Sequence, residues 1–82
     1  MNPSEFEVYL SIQKELERAR TKFPQSTHTF TALVEEVGEL GKALITQNGN
    51  RKHYVKEEAI QVAVMAIRLI LDGDESHQLG GA

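Results

Sequence analysis

Cysteine and tryptophan are absent from the 82 residues, and only two prolines interrupt them. Without cysteine the chain has neither a disulfide framework nor a thiolate metal site, and this agrees with a reducing compartment without requiring one. Positive charge is not in excess: nine Lys and Arg against twelve Asp and Glu leave a net charge of −3. That balance argues against nucleic acid as a partner, since phosphate neutralisation needs a basic surface. No apolar run is long enough for a bilayer. The longest, "AIQVAVMAIRLIL" at 59–71, falls short of the roughly 20 residues a span requires and contains Gln61 and Arg68. Residues 1–25 have no basic start followed by an apolar stretch, so no secretory signal is expected. Strand signals and internal repeats are missing as well. The expectation is a soluble, cytoplasmic protein with no membrane partner.

What remains is a globular balance, 40% apolar and 26% charged. A domain this small buries a modest share of its surface and is marginal alone. With disulfides excluded, a metal or a second subunit is the expected compensation.

The pattern is all-α, with three helices at about 3–21, 28–47 and 51–72. Asn2 caps the first, Pro3 suits its first position and Glu5 completes a capping box. Phe6, Tyr9, Leu10, Gln13 and Leu16 share a face, with Val8, Ile12 and Ala19 widening its apolar side. "KFPQST" at 22–27 is a loop because Pro24 stops a continuing helix, and Ser26 or Thr27 caps the next. In the second helix Leu33, Val37, Leu40 and Leu44 form one stripe at helical spacing. "QNGN" at 47–50 ends it, with Gly49 in the left-handed conformation and Asn50 capping the third helix. That helix is apolar on nearly all sides, with only Glu57, Gln61, Arg68 and Asp72 on a polar strip. Two short neighbours cannot enclose such a helix, so an oligomeric bundle is expected. Gly73 terminates it. Residues 1–73 read as the domain and 74–82 as a flexible polar tail.

The chemistry lies in the carboxylates. Glu36 and Glu39 are about 60° apart around the second helix, beside the core stripe and flanked by Ala32 and Ala43. Glu58 and Gln61 repeat the three-residue spacing on the third, with Glu58 at the edge of an apolar arc. Like charges one turn apart repel, and burial sharpens the cost, so a cation is expected among them. Antiparallel packing would set the two pairs face to face. Three carboxylates and an amide oxygen suit Mg2+ or Mn2+, and such a site favours phosphate chemistry. The plain alternative is a solvated acidic face.

These residues resemble the MazG-like, all-α nucleoside triphosphate pyrophosphohydrolases. The family pattern is E-E-x-x-E on one helix and E-x-x-D on the next. "EEVGE" at 35–39 matches the first part, and "EAIQ" at 58–61 matches the second except for its last residue. The likeness covers about 28–72. It implies hydrolysis of a nucleoside triphosphate to monophosphate and pyrophosphate, in nucleotide-pool house-cleaning. By motif position Glu36, Glu39 and Glu58 would bind Mg2+, with Gln61 in the fourth ligand place. Glu35 would be an outer ligand or would orient and deprotonate the attacking water, so Glu35 and Glu36 are the catalytic candidates. Because an amide brings no charge, a shifted register using Glu57 or Asp72 is a second possibility. The family also implies a homodimer or homotetramer.

Lys56, Arg68 and His28 are candidates for the triphosphate, as are Arg51 and Lys52. Phe30 and Tyr54 can stack a base or pack. Gly38 and Gly41 suggest close approach, to a neighbouring helix or across a dimer interface. A different class of protein also fits: a helical dimerisation or nucleotide-binding module that has lost catalysis.

Overall fold

A computed structural model describes residues 1–46 and 52–82, the side chains of 52 and 53 excepted. The expected turn at Gly49 and Asn50, and Arg51 with the side chain of Lys52, lie outside the described residues. Three helices form: α1 (Pro3–Lys22), α2 (Thr29–Thr46) and α3 (Lys52–Asp72). α3 is the shared element, packed most extensively by α2 and then by α1. No helix among the described residues is long and apolar enough to cross a membrane.

α1 begins as its sequence directs. Asn2 Oδ1 accepts from Glu5 N–H at 2.9 Å, and Pro3 occupies the first turn. Arg20 and Lys22 sit in its last turn, where they complement the helix dipole.

The core is thin. Ala19, Ala43 and Val64, one from each helix, are its buried apolar side chains. The face that α2 turns inward differs from the expected one. Val37 and Leu44 are about half exposed, at 50% and 49%, while Thr29 and Ala43 are buried and Glu36 is partly so. Leu33 and Leu40 are half-buried. Small side chains at 29, 32 and 43 therefore lie on the more buried face of α2, and Phe30, Val34, Val37 and Leu44 run along an exposed flank at helical spacing. Among the described residues nothing makes a close approach to Gly38 or Gly41. A Cβ at either would meet nothing within 4 Å.

The C-terminal residues do not lead away as a tail. Gly73–Asp74 (β1) pairs antiparallel with Leu79–Gly80 (β2) around a 3-10 turn at Glu75–His77, and the segment folds back on the helices. Gly73 ends α3 as expected, at φ +76, where a Cβ would collide with the Leu79 carbonyl. Asp74, 1% exposed, accepts from Phe30 N–H at 2.7 Å and from the Ser76 hydroxyl at 2.6 Å. So α2 is capped across the fold by Asp74, not by Ser26 or Thr27. Those two residues instead offer carbonyls to Glu75 N–H and Ser76 N–H, each at 3.0 Å.

Candidate functional site

Between α1, the 23–28 loop, α2 and α3 lies an open cleft of about 820 Å3. α1 contributes Arg18 and Lys22 to its wall, α2 contributes Ala32, Glu35 and Glu36, and α3 contributes Gln61 and Met65. His28 lines it from the loop, as does Phe23. A smaller cavity of about 470 Å3 lies between α1 and α3 and includes Lys14, Glu15, Glu57 and Glu58. Arg18 and Gln61 line both.

Glu36 is where α2 and α3 bring acids together. Its position on the inward stripe half-buries it, and the Glu58 carboxyl lies within interaction range across the helix pair. Partial burial first, then Glu58, Glu39 and Glu35, push the Glu36 carboxyl above its ordinary range. A cation held between the two would relieve that repulsion, and both donors are the hard oxygens that Mg2+ accepts. The remaining expected ligands are not gathered. Glu39 is exposed and lines neither cavity. Among the described residues no three acidic or histidine side chains are placed to share an ion.

Gln61 has another partner. Its Nε2 donates to Glu15 Oε1 at 2.8 Å, tying α3 to α1. Arg18 bonds the same carboxylate, Nε at 2.9 and 3.0 Å from its two oxygens. Arg18 foremost, with Gln61 adding to it, holds the Glu15 carboxyl below the usual range against partial burial. The shifted register has no support at Asp72, which is engaged by Arg20 at 2.7 Å and Arg68 at 3.1 Å. Asp72 is also eleven residues beyond Gln61, roughly 16 Å along the helix.

Arg68 is a structural cation and not a free one. It is 4% exposed, and its guanidinium bonds both Asp72 and the Gln25 carbonyl, the latter at 3.3 Å. It pins the 23–28 loop that floors the cleft. Lys56 is exposed and lines neither cavity. His28 and Glu35 do line the cleft, as their candidacy requires. Phe30 and Tyr54 line neither cavity; Phe30 packs edge-on against the His77 ring, centroids 5.3 Å apart.

The residues that sequence reasoning missed all come from α1: Glu15, Arg18 and Lys22. In "KELERARTK" they resemble any solvated helix face, since a Glu–Arg pair three residues apart is ordinary surface chemistry. Only the crossing of α1 over α3 gives them a role.

Compared with family models, with curated proteins and with solved structures, the chain matches none.

Proposed function

We propose that this cleft binds a nucleoside triphosphate with Mg2+ or Mn2+ and hydrolyses it to monophosphate and pyrophosphate. The observation that carries the reading is the meeting of Glu36 and Glu58 beside a cleft large enough for a nucleotide. The E-E-x-x-E and E-x-x-Q spacing of 35–39 and 58–61, with its likeness to the MazG-like pyrophosphohydrolases, supports it. When bound, the cation polarises phosphoryl oxygens and lowers the pKa of a coordinated water. Glu36 and Glu58 hold it from the two helices, and Glu39, one turn along, adds charge beside them. Glu35, on the cleft wall, accepts a proton from the attacking water. Ala32 leaves the space above Glu36 open.

Incubation with a panel of dNTPs and Mg2+ tests this. Pyrophosphate release is expected for at least one nucleotide and not without the metal. A chain that releases none from any of them is not this enzyme. The second reading, a helical module without catalysis, is favoured by one observation. Gln61 turns its Nε2 to Glu15, and its amide brings no charge to the family's fourth ligand place.

The proposed enzyme works as a homodimer or homotetramer in the cytoplasm. Among the described residues the buried apolar side chains are the small Ala19, Ala43 and Val64, while Phe30, Val34, Val37 and Leu44 expose a continuous apolar flank. Gly38 and Gly41 lie alongside with nothing packed on them. A second copy seated there completes the burial. Light scattering is expected to give at least a dimer for the native chain. Val37→Glu should weaken association by about tenfold or more, because a charge placed in an apolar contact is left unpaired. A native chain that stays monomeric at high micromolar concentration rejects the assembly.

A further inference from the structure

Glu36 and Glu58 account for a cation and leave the anionic end of a triphosphate without a partner. Arg68 cannot supply one while it is buried and bonded to Asp72 and Gln25, and Lys56 lines neither cavity. Among the described residues the cleft's exposed Lys and Arg side chains are Arg18 and Lys22. Four residues apart on α1, they share a helical face. Exposed charge in the cleft is thus divided by element, cationic from α1 and acidic from α2, while Arg68, which also lines it from α3, is buried.

We propose that Arg18 and Lys22 form the phosphate clamp of this cleft, and that Glu15 is a resident partner holding Arg18 until phosphate replaces it. The inference rests on reading the cleft as a triphosphate site. Arg18 is 54% exposed and forks onto both Glu15 oxygens. A phosphate offers the same two-oxygen geometry with more charge, and an ion pair one turn long whose arginine is exposed and whose glutamate is partly buried competes modestly. Arg18 lines both cavities, so exchange needs only a turn of its side chain from one into the other. Glu15 is not stranded when Arg18 leaves, because Gln61 Nε2 still bonds it. Lys22, whose ammonium now rests 5.4 Å from the Phe23 ring centroid, adds a second charge at the same wall.

Inorganic tripolyphosphate without metal isolates this end of the site. Calorimetry at low salt is expected to detect binding to the native chain, weakened about tenfold or more by Arg18→Ala. Arg18→Lys should fall between, having charge without the fork. Glu15→Gln is expected to tighten binding about threefold, since the resident competitor loses its charge. A merely structural Glu15–Arg18 brace would instead make Glu15→Gln weaken binding as Arg18→Ala does, and that result overturns the clamp. So does native affinity in a folded Arg18→Ala protein, or an absence of tripolyphosphate binding by the native chain. Arg18-dependent binding from a chain that releases no pyrophosphate from any nucleotide keeps the clamp and removes the hydrolase.

Discussion

Replacing Glu36 with glutamine is expected to give a more stable protein that no longer releases pyrophosphate. If Glu36 is the proposed ligand, its loss should cost more than loss of an outer partner, which costs roughly 10–100-fold, so release should drop by about 100-fold or more. Stability should move the other way. Glu36 is held half-buried against Glu58, Glu39 and Glu35, so its ionisation works against folding. Glutamine removes one member of that cluster, a gain of roughly 0.5 kcal/mol. The sign with pH follows from the raised carboxyl. Between the ordinary glutamate value and the raised one, the folded chain binds more protons than the unfolded chain. Native stability therefore falls as pH rises through that window, and the whole penalty stands above it. Thermal melts without metal from about pH 4 to 8 should show the native protein losing ground to Glu36→Gln as pH rises. A constant gap would mean that ionisation of Glu36 is not the source.

Asp74→Ala should have the largest effect on folding. It strips the N-terminal cap from α2 and leaves Phe30 N–H and the Ser76 hydroxyl without their Asp74 acceptor in a part-buried place. The melting temperature should fall by on the order of 10 °C for a domain of this size. Asp74→Asn keeps one acceptor oxygen and should lose less. The Ser76 hydroxyl first, then Phe30 N–H and His77, hold the Asp74 carboxyl well below its ordinary range despite burial. Its contribution is therefore complete above the ordinary aspartate value and is lost as pH falls toward the depressed one. The gap between the native protein and Asp74→Ala should narrow in acid, and melts at about pH 7, 4 and 2.5 would measure it. A gap that persists at the lowest pH would assign the effect to packing instead of charge.

Helix extents were readable because their signals are local. Asn2 and Pro3 start α1, Pro24 closes it off, and Gly73 stops α3, each within a residue or two of its effect. The face of α2 that turns inward was not readable. Leucines and valines marked one stripe by hydrophobicity, yet Thr29, Ala32 and Ala43 lie on the more buried face of α2, with Glu36 carried in among them. The approach of Glu36 to Glu58 was legible from the three-residue acidic spacing on successive helices. The partners of Gln61 and Arg68 were not. Glu15 is 46 positions before Gln61 and Gln25 is 43 before Arg68, and no periodicity reports such distances. The role of 74–82 was hidden for the same reason. A short polar sequence reads as a tail until its one buried carboxylate finds a helix end.

The Asp74–Phe30 bond spans 44 residues, and this separation orders events during synthesis. α1 carries its own cap at Asn2 and can form as soon as it emerges. α2 leaves the ribosome with its first turn uncapped and waits for the whole of α3 and Gly73 before that turn is secured. Closing a loop of this length costs chain entropy that the contacts of Asp74 must recover, so the cap of α2 cannot form before Asp74 has been made. A stalled chain ending before Asp74 would carry a complete set of helices and a frayed cleft floor.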